Sequence, residues 1–165
     1  MPQHQTHTLE PVFDAQSRVL VLGSFPSPLS RQTGFYYGNP HNRFWSVMSA
    51  LWNEPVPSGV GERRDFALRH RVALWDVIAE CVIEGADDGS IRQVRPNPLH
   101  IVLDHADIAA IFTCGSKAFS LYNRHCLPVT GRSAIPLPST SPANCRYYDL
   151  PKLIAAYRVI RDYTD

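Results

Sequence analysis

The sequence has few of the features that mark a membrane-spanning or secreted protein. No apolar run approaches the roughly 20 residues that a membrane-spanning helix needs. The first seven residues also lack the basic and then apolar pattern of a signal peptide. We therefore expect a soluble protein of the cytoplasm.

Close pairs of metal-binding residues are missing as well. The four cysteines, Cys81, Cys114, Cys126 and Cys145, stand at least 12 positions apart, and no two histidines have the HxxxH spacing. Zinc ribbons and iron–sulfur clusters use more closely spaced ligands. The pattern predicts no metal site and no other cofactor.

Lysine is scarce, since 14 of the 16 basic residues are arginine, while the net charge is only +1. The planar guanidinium of arginine can hold a phosphate or a base edge through two parallel hydrogen bonds. Solvated surface arginines explain the same count, so composition alone favours nucleic-acid binding only weakly. The 165 residues suit one domain over residues 1–165, which we expect to be monomeric.

Short apolar segments alternate with helical patterns along the chain. Strands are predicted over residues 18–22, 72–78, 109–114 and 134–138. Helices are predicted over residues 43–52, 61–70, 97–105, 115–124 and 150–163. The two prolines of the fourth strand indicate an edge position. The alternation predicts an α/β fold, a three-layer α/β/α sandwich around a short, mainly parallel four-stranded sheet.

The remaining segments are predicted to be irregular. Residues 1–16 read as a loose N-terminal lead-in, 80–96 as a polar loop, and 24–40 as a loop long enough to be functional. Ligands bind at the carboxyl ends of parallel strands in α/β folds. The loops that follow Leu22, Ile78 and Pro138 should therefore converge on one cleft.

Three stretches of the sequence carry a family resemblance. They are LVLGSFPS from Leu20 with GFYYGNPHNRFW from Gly34, ALWDVIA from Ala73 with GSIR from Gly89, and LPSTSPAN from Leu137. Together they resemble the deoxyinosine (hypoxanthine) branch of the uracil-DNA glycosylase superfamily, over residues 18–163. The first stretch also resembles the mismatch-specific uracil/thymine branch, which has a similar Asn-Arg-Phe-Trp block.

The resemblance implies an enzyme of base-excision repair whose partner is damaged DNA. Such an enzyme flips a damaged base, here a deaminated one such as hypoxanthine, out of the duplex and hydrolyses its N-glycosidic bond to leave an abasic site. Two alternatives stay open. One is a uracil or mismatch glycosylase, and the other is a non-catalytic protein that binds lesions or nucleotides on the same fold.

One position departs from the family pattern. Most of the superfamily has an aspartate, asparagine or glutamate after the first strand, where it positions the attacking water, and this chain has Phe25 there. The nearest polar substitute in the same loop is Asn39, with Asn42 and Asp76 as further candidates. Asn39 also fits an ordinary turn in Gly-Asn-Pro, but the resemblance implies that it is the catalytic residue.

The resemblance also implies a base pocket. Its floor comprises the first loop, and Tyr37 stacks on the flipped base. The expected pocket residues are Gly23, Ser24, Phe25, Tyr37, Asp76 and Ser139. The alternatives are a core role for Tyr37, an ordinary core role for Phe25, and a buried structural role for Asp76.

The serine-rich loop matches the superfamily segment that enters the minor groove and pinches the phosphates. Its small hydroxyl side chains allow a close approach to the DNA backbone. The expected DNA-binding residues are Asn42, Arg43, Lys117, Ser139, Thr140, Ser141, Pro142 and Asn144. For Asn42, a helix cap is favoured over a catalytic role. A solvated arginine explains Arg43 equally well, and a turn that ends the strand is the alternative for the serine-rich loop.

Overall fold

The computed structural model describes residues 2–84 and 87–165. The strands are β1 Gln3–Thr6, β2 Val19–Gly23, β3 Val72–Asp76, β4 Ile78–Glu84, β5 Asp87–Pro96, β6 Ala110–Cys114 and β7 Ala134–Leu137. The helices are α1 Pro28–Thr33, α2 Phe44–Trp52, α3 Gly59–Arg69, α4 His100–Leu103, α5 Ser116–His125, α6 Leu127–Thr130, α7 Leu150–Tyr157 and α8 Arg161–Thr164. Single turns of 3₁₀ helix cover Pro142–Asn144 and Arg158–Ile160.

A four-stranded parallel sheet in the order β3-β2-β6-β7 forms the centre of the fold. All five residues of β2 and of β3 are buried, as continuous apolar strands between two layers of helices should be. β7 lies at the edge, where Pro136 costs no interior hydrogen bond. The predicted α/β architecture and the edge position of the fourth strand are confirmed.

A second sheet was not predicted. β1, β4 and β5 pair antiparallel in the order β1-β4-β5. The prediction of a loop over 80–96 is therefore wrong, because β4 and β5 form a hairpin. The register of that hairpin shifts three times between Ile78 and Glu84, and such bulges break the two-residue alternation by which a strand is recognised.

The N-terminal residues are not a loose lead-in either. β1 has only polar residues, so it carries no apolar strand signal, yet it pairs with β4 from Gln3 opposite Ile83 to Thr6 opposite Glu80. Val12 is fully buried and exchanges two backbone hydrogen bonds with Leu74. The segment is thus tied to both sheets.

Three further differences are local. The long loop over 24–40 contains α1, and the last helix is broken into α7, a 3₁₀ turn and α8. α4 is shorter than predicted, because the Asn97 side chain does not cap it. Its Nδ2 instead donates to the carbonyls of Asp76 and Ile78 at 2.9 and 3.1 Å.

The helices bury their apolar faces against the parallel sheet and against each other. α2 buries Phe44, Trp45, Met48 and Leu51, in agreement with the predicted helical spacing, and α7 packs on it. None of the described helices is long and apolar enough to cross a membrane. The packing leaves the carboxyl ends of the parallel strands open at one edge, where the candidate site lies.

Candidate active site at the carboxyl ends of the parallel strands

A cavity of about 230 Å³ lies where three of the parallel strands end. Gly23 ends β2, Asp76 ends β3 and Cys114 ends β6. The described residues that line the cavity are Gly23, Ser24, Phe25, Pro26, Ser27, Pro28, Tyr36, Tyr37, Asn39, Asn42, Asp76, Ile83, Cys114, Ser139, Thr140, Ser141 and Pro142. The loops that follow β2 and β7 meet here, as expected. A third loop was expected between them, but β4 contributes Ile83 there instead.

The side-chain carboxylate of Asp76 lies in the wall of this cavity. Its side chain is 5% exposed, and its Oδ2 lies 2.8 Å from Nε2 of His7, which is 3% exposed. No other side chain among the described residues hydrogen-bonds this carboxylate. His7 is not recognisable as a site residue from the sequence, since a lone histidine in a polar segment carries no local signal of a partner 69 positions away.

Gly23 is a glycine because Asp76 approaches its backbone closely. A Cβ built at Gly23 would lie 2.5 Å from Oδ1 of Asp76 and 3.6 Å from the Tyr37 hydroxyl. A Cβ essentially never lies within 3.0 Å of an atom from a residue that is not its chain neighbour, so a side chain at this position would displace the carboxylate. The two strand ends are thereby held at a short separation.

Tyr37 lies in the cavity wall and rests on the core through one face. Its ring stacks on Phe44, with centroids 3.8 Å apart and planes inclined by 11°. Its φ of 56° is left-handed, which is costly for a residue with a bulky side chain. Burial, with the Cys114 thiol and Asp76 nearby, raises the pKa of Tyr37 well above its usual value, so the hydroxyl stays neutral.

Tyr36 has a different environment from Tyr37. Its hydroxyl donates to the carbonyl of Glu10 at 2.7 Å, and its own carbonyl accepts from Nε1 of Trp45 at 3.2 Å. Burial raises the pKa of Tyr36. Tyr36 therefore connects the N-terminal segment to the core.

Phe25 brings no polar atom to the position where the family pattern has one. The residue is 8% exposed, its ring is nearly perpendicular to the His7 ring with centroids 5.9 Å apart, and the Arg31 guanidinium lies 5.3 Å from its centre. The last contact is a cation–π geometry. Phe25 thus forms an aromatic part of the wall.

Asn39 lies in the same wall with its side chain held in a turn. Its Oδ1 accepts from the backbone N–H of His41 at 2.9 Å, and its backbone carbonyl accepts from Asn42 N–H at 2.9 Å. An amide oxygen has two acceptor sites, so one remains for a further hydrogen bond. The turn expected from Gly-Asn-Pro is present, and it fixes the amide at the cavity.

Asn42 and Arg43 connect the start of α2 to the serine-rich loop. Oδ1 of Asn42 accepts from Phe44 N–H at 2.9 Å and from the Thr140 hydroxyl at 2.8 Å. Arg43 donates its backbone N–H to the Thr140 carbonyl at 3.1 Å, and its guanidinium donates to the carbonyls of Ser141 and Tyr148. The guanidinium thus holds the backbone of the serine-rich loop in place by hydrogen bonds.

The serine-rich loop is held by its own side chains. Oγ of Ser139 accepts from Ser141 N–H at 3.1 Å, and Oγ of Ser141 accepts from Ala143 N–H at 3.2 Å. Nδ2 of Asn144 donates to the Ser139 carbonyl at 3.0 Å. Local bonds of this kind give a loop one defined shape.

The structure brings most of the predicted site residues together. Those in the cavity wall are Gly23, Ser24, Phe25, Tyr37, Asn39, Asn42, Asp76, Ser139, Thr140, Ser141 and Pro142. Arg43 and Asn144 support the loop from outside the wall, and Lys117 lies apart on the first turn of α5. Within residues 2–84 and 87–165, no three His, Cys, Asp or Glu side chains are grouped to hold a metal ion.

Comparison with known proteins identifies the family. The family model of the Uracil DNA glycosylase superfamily matches residues 10–159, and the chain belongs to this superfamily. It is a DNA glycosylase, a hydrolase of N-glycosidic bonds in DNA. The resemblance seen in the sequence is thereby confirmed.

Two similar curated proteins and one solved structure agree with this assignment. The chain is 32% identical to a hypoxanthine DNA glycosylase from Methanosarcina barkeri. The alignment spans 137 residues, which are 82% of this chain and 86% of that protein. The chain is 30% identical over the same shares to a hypoxanthine DNA glycosylase from Methanosarcina acetivorans. A solution NMR structure of a candidate uracil DNA glycosylase from Methanosarcina acetivorans matches with a TM-score of 0.78 and 27% identity, over 97% of this chain and 99% of that one.

Proposed function

We propose that the protein releases hypoxanthine from deoxyinosine in DNA and leaves an abasic site. The observation that carries this proposal is the Asp76 carboxylate in the wall of a cavity large enough for one base. The cavity of about 230 Å³ exceeds the roughly 150 Å³ that accommodate a benzene ring. Two relatives that cover most of the chain are hypoxanthine DNA glycosylases.

Asp76 supports the choice of a deaminated purine. An ionised carboxylate only accepts hydrogen bonds. Deamination of adenine converts the ring nitrogen N1 from an acceptor into an N–H donor, so the carboxylate attracts hypoxanthine and repels adenine. Guanine shares that N–H, but it stays in a stable base pair, whereas flipping costs least for a damaged or mispaired base.

The wall residues divide the remaining work of binding. The serine-rich loop contacts the phosphates on both sides of the flipped nucleotide, in the manner of small hydroxyl side chains on a DNA backbone. The face of Tyr37 opposite Phe44 stacks on the base, which is worth ~1–3 kcal/mol. The backbone of Gly23 and Ser24, with Phe25, completes the pocket floor.

Hydrolysis requires a water molecule beneath the anomeric carbon and stabilisation of the departing base. The bond between C1′ and the base nitrogen breaks with the electron pair going to the base, the sugar passes through an oxocarbenium-like state, and water supplies the oxygen to C1′ and a proton to the base. The free acceptor site of the Asn39 Oδ1 orients that water. No lysine lines the cavity among the described residues, which favours hydrolysis over Schiff-base chemistry.

A second substrate class has an observation in its favour. Uracil also gains a ring N–H on deamination of cytosine, and the matching NMR structure is that of a candidate uracil DNA glycosylase. Phe25 occupies the position that is usually polar, and this favours a protein that binds lesions without hydrolysing the N-glycosidic bond. Both are outcomes of the same assay.

The assay uses duplexes that each carry one inosine, uracil, xanthine or mismatched thymine, followed by alkaline cleavage of abasic sites. We expect cleavage at inosine well above that at uracil, and no loss of activity in EDTA, because the cysteine and histidine spacing predicts no metal site. Preferential cleavage at uracil or mismatched thymine would replace the proposed substrate. Binding to inosine DNA without cleavage would establish the non-catalytic alternative.

A further inference from the structure

Among the described residues that line the cavity, Asp76 has the one carboxylate. His7, which hydrogen-bonds it, comes from a segment outside the parallel sheet. We propose that His7 is a positioning residue of the glycosylase reaction, and that β1 is part of the active site because it carries His7 there. The inference rests on the proposed function, since it concerns how Asp76 recognises the base. It adds a residue to the site and a role for the second sheet.

The Asp76 carboxylate is buried, and its burial requires a partner. A carboxylate that is 5% exposed is costly to bury unless it is paired and hydrogen-bonded. His7, itself 3% exposed and 2.8 Å away, is the one side chain among the described residues that hydrogen-bonds Asp76. Without His7, the carboxylate would be left unpaired in the wall of the cavity.

His7 also fixes the orientation of the Asp76 carboxylate. The bond from Nε2 of His7 engages Oδ2, and Oδ1 is left beside the Gly23 backbone and near the Tyr37 hydroxyl. The rotation of a carboxylate about its last bond is soft. Because His7 holds one oxygen, the other is fixed as the acceptor for a base in the cavity.

Backbone and ring contacts hold His7 itself in place. Its backbone N–H donates to the Ala79 carbonyl at 2.6 Å, directly after the four paired residues of β1. Its ring and the Phe25 ring are nearly perpendicular, with centroids 5.9 Å apart, and the Tyr36 ring is tilted against it with centroids 6.2 Å apart. Strand pairing and ring packing thus aim the imidazole at Asp76 from behind the pocket.

The position of His7 excludes direct participation in bond breaking. The described residues that line the cavity include Asp76 and Phe25 but not His7, which lies behind both. Its effect on the reaction must therefore pass through the Asp76 carboxylate. A residue that acts in this way is replaceable by another donor that reaches the same oxygen.

The test compares three variants of His7 in single-turnover excision from inosine DNA with saturating enzyme. His7→Phe keeps a ring against Phe25 but has no donor, and we expect at least about a tenfold loss, as for a hydrogen bond to a charged group. His7→Gln has an N–H at a similar reach and should recover most of that loss, whereas His7→Ala should not. His4→Ala is the matched control, since His4 lies on β1, three residues before His7, with a side chain that is 62% exposed.

A double variant separates positioning from mere structure. In an Asp76→Ala background, His7→Phe should cause no further loss, because both changes remove the same contact. Thermal unfolding of each variant identifies any that fail to fold, and in that event the comparison of His7→Gln with wild type decides. Loss by His7→Gln as severe as by His7→Ala, or a multiplicative loss in the double variant, would overturn the inference.

The outcome also distinguishes this inference from the proposed function. A wild-type protein that releases no base from any of the four lesions overturns the proposed function and the role of His7 with it. Active wild type with His7→Phe and His7→Ala both within about threefold of it overturns the role of His7 alone, since threefold is ~0.65 kcal/mol.

Discussion

Gly23 shows how a single missing side chain sets the geometry of the cavity. In Gly23→Ala, the added methyl would stand 2.5 Å from the Asp76 carboxylate and must displace it. We expect excision in single turnover to fall by at least about tenfold, and overpacking to cost ~1–3 kcal/mol of stability. Chemical unfolding and the excision assay measure the two effects separately.

The matched control for this change is Gly61→Ala. Gly61 lies on α3 with no atom within 4 Å of an added Cβ, and alanine favours a helix over glycine by up to about 1 kcal/mol. Gly61→Ala should therefore leave excision unchanged and not lower stability. If Gly23→Ala behaves like Gly61→Ala in both measurements, the close contact with Asp76 has no part in catalysis.

Asn39 carries the chemical step in this account. Asn39→Ala should lower single-turnover excision by ~10²-fold or more, because one preorganised hydrogen-bonding group is typically worth that much in rate. Folding should survive, since the residue is partly exposed on a loop and, among the described residues, its side chain hydrogen-bonds only the backbone N–H of His41. Asn39→Asp should retain part of the activity, because a carboxylate also accepts from water but repels the neighbouring phosphates.

Asn123→Ala, on α5 and outside the cavity wall, is the control of the same residue type. It should cleave inosine DNA at the wild-type rate. Excision by Asn39→Ala within about threefold of wild type would remove Asn39 from the mechanism. Asn42 and Asp76 would then be tested in the same way.

In the proposed function, the serine-rich loop binds DNA in the shape that its own hydrogen bonds already give it. Asn144→Ala removes the hydrogen bond to the Ser139 carbonyl and frees the loop, while the cavity wall beneath it is unchanged. We expect affinity for DNA to fall by about 2- to 12-fold, as for one hydrogen bond of ~0.5–1.5 kcal/mol, with little change of the chemical step in the bound state. Fluorescence anisotropy at low salt, where phosphate contacts count most, measures the affinity.

Ser139→Ala tests the same loop from its other end, because the Ser139 hydroxyl accepts from Ser141 N–H. It should weaken binding in the same direction as Asn144→Ala. Equal affinity of both variants and wild type would contradict the assignment of this loop to the DNA. A loss confined to the chemical step would instead place the loop in the pocket alone.

The strands that could be predicted are those with an apolar sequence that the structure buries. β2, β3 and β6 are apolar along their length and buried, so their positions, and the convergence of Gly23 and Asp76 at one edge, followed from the sequence. β1 is polar and the β4–β5 hairpin is irregular, so tertiary pairing defines them and the sequence does not. His7 went unnoticed for the same reason, since its role comes from a partner that the second sheet brings within reach.

The reactivity of the cysteines reports on the packing of the whole chain. Cys145 is exposed, whereas Cys81 and Cys126 are buried and Cys114 is half-buried at the base of the cavity. Burial raises the pKa of Cys114 to about 11 and that of Cys126 to about 11, so few thiolates form at pH 8. We expect a disulfide reagent to modify one thiol rapidly in the native protein and the other three after denaturation.

Cys145→Ser should remove the rapid phase and leave the slow ones. The reactivity of Cys114 and Cys126, whose pKa values are raised, should increase as the pH approaches 11, because the thiolate is the reactive form. Rapid modification of two or more thiols at pH 8 in the folded protein would show a looser core around β6 and α5 than the structure has.

The most direct test of the account measures free base and strand integrity in the same reaction. Inosine-containing duplex is incubated with wild type or with Asn39→Ala, released hypoxanthine is quantified by chromatography, and the strand is examined before and after alkali. The account predicts one hypoxanthine per abasic site with an intact strand before alkali for wild type, and at least about a hundredfold slower release for Asn39→Ala. Inosine DNA that wild type binds but leaves intact, with no free hypoxanthine, would contradict it.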